Sequence, residues 1–182
     1  KIREELPTYC DELYYENHRG TYTSQGFIKK ANRRNEFLLS RCEMAGVFGG
    51  GYDIEKLQNL WLLFLKNQFH DILPGTSIHE AMEDCRPDFK KLETDGNEML
   101  DTAINSIIPK IQVKNDGVIV WNFLSHKVTA PVTVIGNKSF EGVCRNFLKD
   151  GTEYTEFIAT DVPPMGYKFF PYAESPKTEN VK

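Results

Sequence analysis

His70 and Asp71 stand side by side in the stretch Asn67-Gln68-Phe69-His70-Asp71-Ile72-Leu73-Pro74-Gly75-Thr76-Ser77, and no other residues of the chain are as well placed to do chemistry. An imidazole nitrogen can ligate a metal, and an adjacent carboxylate can accept hydrogen bonds from hydroxyl groups. Leu57, Leu60, Trp61, Phe64, Leu65 and Phe69 recur at helical spacing before the doublet. They predict a helix over residues 54–70 that buries one face and delivers His70 and Asp71 at its last turn. Pro74-Gly75 then breaks the helix. Groups held at the end of a rigid element are aimed better than groups on a mobile loop. A histidine at a helix C-terminus can equally be structural, complementing the helix dipole, and the residues alone leave both readings open.

No complete site is visible around the doublet. A catalytic zinc takes three protein ligands, and the other histidines, His18, His79 and His126, have no ligand spacing relative to His70. His79 and His126 read as exposed structural residues. The carboxylate pairs Glu4-Glu5, Asp11-Glu12 and Glu83-Asp84 read as solvated faces rather than an acid and nucleophile dyad. Gly49-Gly50-Gly51 is not followed by lysine and serine or threonine, so it is a turn and not a phosphate loop. Residues 13–25 are dense in aromatic and hydrogen-bonding side chains, which suits sugar faces and hydroxyls but also a packed lead-in to a helix.

The elements that must position these residues divide into two kinds. Phe27, Ile28, Ala31, Phe37, Leu38, Leu39, Cys42 and Met44 predict a first helix from Gly26 to about Gly46. Asp53 is a suitable N-cap for the second. Ser77-Ile78-His79-Glu80 has the pattern of a capping box opening a third, which continues to a stop before Pro109 and is kinked or split by Pro87. Short connections then imply an antiparallel three-helix bundle. Further on, β-branched runs predict strands at 117–122 and 128–135, and 142–147, 154–159 and 167–172 are further candidates, with Lys149-Asp150-Gly151 as a hairpin turn. The expected class is α+β with segregated elements, a helical bundle over 1–114 and a small, mainly antiparallel β region over 115–173. That region is either a small sheet on the bundle or the start of a larger β domain, and the polar tail at 174–182 is expected to be disordered.

Composition closes off several classes of function. The 182 residues are 40% hydrophobic, enough for a buried core, and a net charge of −4 provides no field for nucleic acid. The longest apolar run, at 60–65, is far too short to span a bilayer, and Lys1-Ile2-Arg3-Glu4-Glu5 lacks the apolar stretch of a secretory signal. A soluble chain is expected. Four widely spaced cysteines, Cys10, Cys42, Cys85 and Cys144, fit reduced thiols and a cytoplasmic location, with two disulfides as the other reading.

Three motifs in order carry a more specific resemblance. Glu12-Leu13-Tyr14-Tyr15-Glu16-Asn17-His18-Arg19-Gly20-Thr21-Tyr22-Thr23-Ser24-Gln25, then Lys30-Ala31-Asn32-Arg33-Arg34-Asn35-Glu36, then the stretch at 67–77 resemble the middle region of glycoside hydrolase family 38 α-mannosidases. Val120-Trp121-Asn122-Phe123-Leu124-Ser125 and Val162-Pro163-Pro164-Met165-Gly166-Tyr167 extend the likeness into the family's C-terminal β region, so that it covers essentially the whole chain. The resemblance implies that His70 supplies one ligand to a catalytic zinc and that Asp71 hydrogen-bonds hydroxyls of a bound mannose. It also implies a retaining mechanism, with an aspartate nucleophile and a second carboxylic acid that both belong to an N-terminal domain absent here. The other zinc ligands, including a His-x-Asp pair, are absent too.

By that resemblance the chain is a fragment holding no catalytic residue of its own, expected neither to hold zinc tightly nor to cleave α-mannosides alone. Its implied partners are an α-mannoside, the N-terminal catalytic domain and, in the full-length enzyme, further copies of itself; nucleic acid and membrane are not expected. Pro87 departs from the uninterrupted third helix of the family. A stand-alone helical carbohydrate-binding or protein-interaction module is the alternative, and a non-mannoside zinc hydrolase sharing only the bundle is a third. A fragment should expose an apolar patch beside His70, where a module should be polar.

Overall fold

A helix with one apolar stripe must cover that stripe, and three such stripes in succession bury one another. The computed structural model, which describes residues 7–11, 19–49 and 51–173, has α1 at Gly26–Gly49, α2 at Ile54–Lys66 and α3 at His79–Ile107. Five strands follow, β1 at Gly117–Asn122, β2 at Val128–Ile135, β3 at Cys144–Lys149, β4 at Thr152–Val162 and β5 at Gly166–Pro171. The fold is α+β with helices and strands segregated. The chain divides into two compact units, Lys1–Glu43 with Tyr52–Asp101, and Met44–Gly51 with Thr102–Lys182.

In the first unit the buried side chains are Ile28, Leu38, Leu39 and Cys42 of α1, Leu57, Leu60 and Phe64 of α2, and a heptad-like row from Met82 through Cys85, Phe89, Leu92, Met99 and Leu100 on α3. Each fully buried side chain of this kind is worth about 1.5–3 kcal/mol. Polar contacts fix the helix directions. Lys56 Nζ to Glu98 and Lys66 Nζ to Asp88, both 2.9 Å, run α2 antiparallel to α3. Trp61 Nε1 donates to Glu43 Oε1 at 2.9 Å, and Gln68 pairs with Asn32, which runs α2 antiparallel to α1 as well. Arg86 over Phe27 and Cys42 Sγ donating to the Gly96 carbonyl at 3.2 Å then leave α1 and α3 parallel. This is the up-down-up bundle expected.

Three local expectations are corrected. Helix α1 runs three residues beyond Gly46 and takes in Gly49, so the glycine run is not wholly a loop. The first helical bond of α3 goes from the Met82 amide to the Ile78 carbonyl, which makes Ile78 and not Ser77 the flanking residue and puts Glu80 one position too early for a capping box. Helix α3 runs through Pro87 as one element, so Pro87 does not split it. Pro87 and Glu83, whose carbonyl it leaves without an amide, are both exposed residues, and on an exposed face that loss costs least.

In the second unit β1 pairs antiparallel with β5, and β2, β4 and β3 form a second antiparallel sheet in that order. Asp150 and Gly151 have φ of 51° and 77°, the two positive values of a type I′ turn, and they close the β3–β4 hairpin with Lys149 opposite Thr152. Pro131 lies on edge strand β2, where its missing amide breaks no ladder. Val118, Val120 and Phe170 of one sheet and Val132, Val134 and Phe157 of the other pack around Phe140, Cys144, Ala159 and Val162. The Phe157 and Phe170 rings meet edge to face at 5.3 Å. Two small sheets sharing a core make a miniature sandwich. No described helix is long and apolar enough to cross a membrane.

Candidate functional site

The α2 helix ends earlier than its apolar spacing predicts. Asn67 is the C-cap, and the amides of Asn67, Gln68 and Phe69 each bond the carbonyl three residues back, which tightens and closes the helix at Lys66. His70 and Asp71 therefore sit not on the last helical turn but on a separate turn beyond it. The reason is Asn67, which is fully buried: its Nδ2 donates to the Leu63 carbonyl at 3.0 Å and to Asp88 Oδ2 at 3.1 Å. A side chain spent on those two bonds anchors the helix end where it is.

The turn carrying the doublet is nonetheless held from several sides. The Asp71 carbonyl accepts from the Thr76 and Ser77 amides, at 3.2 and 3.0 Å, and its carboxylate accepts from the Thr76 hydroxyl at 3.2 Å. Lys29 of α1 donates to the carbonyls of Ser24 and Pro74, the second at 2.8 Å, and burial pulls its ammonium below the usual lysine value. Gly75 has φ +76°, and a Cβ there would stand 2.9 Å from Gln25 Cβ and 3.0 Å from the Ser24 carbonyl, so only glycine fits. Spacing on α2 alone could not reveal Lys29 or Gln68, since both bond residues remote in sequence. Asn32, the partner of Gln68, does lie within the second motif of the sequence.

On this base the doublet faces solvent. The side chains of His70 and Asp71 are 76% and 51% exposed, and Nε2 lies 3.4 Å from Oδ2, in contact but longer than a good hydrogen bond. The Phe69 ring tilts against the imidazole at a centroid distance of 4.2 Å and is itself 53% exposed. Leu62 and Leu65, also exposed, continue the apolar stripe along α2 toward it. The pair can offer one imidazole nitrogen and one carboxylate outward. Among the described residues no group of three or more histidine, cysteine, aspartate or glutamate side chains is placed to share a metal. Among the described residues His70 is thus a single candidate ligand rather than a complete site.

The remaining candidates are placed as follows. His79 opens α3 and is exposed, and His126 is exposed in the β1–β2 connection, where its carbonyl accepts from Asn122. Glu83 pairs with Arg86 at 2.8 Å. His18, Glu4, Glu5, Glu12, the first half of the first motif and the 174–182 tail lie outside the described residues. The two motifs of the β unit, which look unrelated in sequence, are joined: the buried Asn122 Nδ2 donates to the carbonyls of Val162 and Pro163, and the Met165 amide donates to the Leu124 carbonyl at 3.0 Å.

A family model described as the alpha mannosidase middle domain matches residues 16–107, which contain all of α1, α2 and α3 together with the doublet. The chain belongs to this α-mannosidase family. Alpha-mannosidase 2C1 of Homo sapiens is 32% identical over 130 residues, covering 68% of this chain and 12% of the relative. Alpha-mannosidase G of Dictyostelium discoideum is 37% identical over 112 residues, 58% of this chain and 10% of the relative. The chain therefore spans about a tenth of the length of the curated relatives it matches. A crystal structure of an alpha-mannosidase from Enterococcus faecalis V583 superposes with a TM-score of 0.66 over 99% of this chain and 28% of that one, at 14% identity, and so shares the fold.

Proposed function

We propose that this chain is the helical middle portion and the start of the β region of a retaining, zinc-dependent α-mannosidase that removes terminal α-mannosyl residues. In this reading residues 1–114 are the middle domain and 115–173 begin a β-sandwich-like domain. His70 contributes one zinc ligand, and Asp71 accepts hydrogen bonds from mannose hydroxyls. The nucleophile, the acid and the other ligands belong to a catalytic domain on the same longer polypeptide. When bound, zinc would supply a Lewis acid for sugar hydroxyls. The two carboxylates of glycoside hydrolysis come from elsewhere.

The observation that carries the proposal is the form of the doublet: a histidine and an aspartate, both open to solvent, on a turn that Lys29, Asn67 and Gly75 hold firmly, in a chain of this family. A structural histidine at a helix end would be satisfied by the helix, whereas this one lies beyond it and faces outward. The exposed Phe69 against it, with the exposed Leu65 and Leu62 on the preceding helix, favours the fragment over a stand-alone module, since a module would be expected to keep that surface polar. Cytoplasmic placement belongs to the same proposal and is supported by four unpaired cysteines.

Two experiments test it. The 182-residue chain, dialysed and submitted to metal analysis and to a chromogenic α-mannoside, is expected to retain no stoichiometric zinc and to release no chromophore. In the longer enzyme, His70→Ala should strip the zinc and lower kcat/KM by about a hundredfold or more, while Asp71→Asn should leave zinc in place and chiefly weaken substrate binding. Full zinc content and activity in the His70→Ala enzyme would overturn the assignment.

A further inference from the structure

A second set of polar residues, on the α1–α3 side of the bundle, has no part in the site above. Two parallel helices line a groove of about 300 Å³ there, and each brings a row of cations to it. Lys30 and Arg34 are one helical turn apart on α1, and Arg86 and Lys90 one turn apart on α3, all four exposed. Arg86 is held over the Phe27 ring at 3.9 Å and bonded to Glu83, so its guanidinium is fixed in place. Lys30, Arg34 and Lys90 have no ion-pair partner among the described residues, and Glu93 is the acidic residue of the lining. A cluster this basic is unexpected in a chain with net charge −4.

Asn35 supplies an independent indication. It lines the same groove at 2% exposure, and its Nδ2 donates to the Ala31 carbonyl at 2.9 Å, but its Oδ1 is buried with no hydrogen-bond partner among the described residues. An orphaned buried acceptor costs about 1–3 kcal/mol and calls for a donor. The groove thus has cations along both walls and, in its lining, a buried side chain whose oxygen is unanswered.

We propose that this groove docks an acidic peptide segment in extended conformation. Lys30 and Arg34 are four residues apart, about 6 Å along the helix axis, and carboxylates at alternating positions of an extended chain are about 6.6 Å apart, so the α1 row can meet two of them while Lys90 adds a cation on the other wall. The backbone between those carboxylates carries N–H groups that answer the Asn35 oxygen once its amide turns outward to the groove. A single phosphate would engage one end of one row and leave that oxygen unanswered. The surface is distinct from the His70 turn and does not depend on the mannosidase reading.

The test is a fluorescence-anisotropy titration of the whole chain with a labelled peptide in which glutamate and serine alternate. The peptide should bind, and binding should weaken several-fold as ionic strength rises. The double charge reversal Lys30→Glu/Arg34→Glu should weaken it by about tenfold or more, and Lys90→Glu on the opposite wall by several-fold. Lys149→Glu, on the β3–β4 hairpin of the other unit and outside the groove lining, should leave it unchanged. Asn35→Leu should weaken peptide binding without lowering the urea midpoint, because it removes the orphaned acceptor. Unaltered affinity in a folded Lys30→Glu/Arg34→Glu chain would overturn the proposal. So would equal competition by inorganic phosphate or by single-stranded RNA at matched charge.

Discussion

At the scale of single residues, polar side chains with no chemical role decide where the chemical ones stand. Asn67 stops α2 at the helix end, Lys29 pins the Pro74 carbonyl, and Gly75 admits the close approach of Gln25; His70 and Asp71 are carried by them. Asn122 plays the same part in the β unit. Its Nδ2 faces the carbonyls of His126, Val162 and Pro163 at 2.8–3.2 Å, and its Oδ1 takes the Leu124 amide at 2.9 Å. Asn122→Ala would leave those groups unsatisfied in a buried place, and a loss of about 2–4 kcal/mol in urea unfolding is expected. Asn122→Asp should do no better, since a carboxylate cannot donate to three carbonyl oxygens.

At the scale of elements, the close contact of α1 with α3 rests on small groups. A Cβ at Gly96 would lie 2.8 Å from Leu38 Cδ2 and 3.0 Å from Leu38 Cγ. Replacing glycine by alanine inside a helix gains about 1 kcal/mol, but forcing a buried leucine aside costs about 1–3 kcal/mol. The clash should win, and Gly96→Ala is expected to lower the unfolding free energy by about 1 kcal/mol in chemical denaturation.

Cys42, on the same contact, is fully buried, and burial pushes its thiol up to about 11 from 9.0. A raised pKa means the folded chain holds the proton more tightly than the unfolded one between those values. Stability from this group is therefore complete below about pH 9 and is lost as pH climbs through 11, by about 2–3 kcal/mol in all. The stability difference between wild type and Cys42→Ala, measured at intervals across that range, should shrink accordingly.

At the scale of the whole molecule, element existence and order were legible in sequence because they follow from periodicity, which needs no partner. The apolar rows of α1, α2 and α3 and the β-branched runs of β1 and β2 were visible in this way, the other three strands as candidates between turn residues, and so was the Asp150-Gly151 turn, whose residue types admit positive φ. Boundaries were less so. The spacing of Phe69 extends the α2 pattern past Lys66, yet the helix has already stopped there because Asn67 bonds Asp88, a residue 21 positions away that no local window contains. Ser77 and Glu80 fit a capping box, yet the first helical bond runs from Met82 to Ile78, one residue further on. The doublet itself was readable as a residue pair of the right chemistry. Its presentation on a clamped turn beyond the helix, its exposure beside Phe69, and the orphaned Asn35 oxygen in the lining of a groove with cations on both walls are facts of the tertiary structure, because each depends on side chains meeting across helices rather than along one.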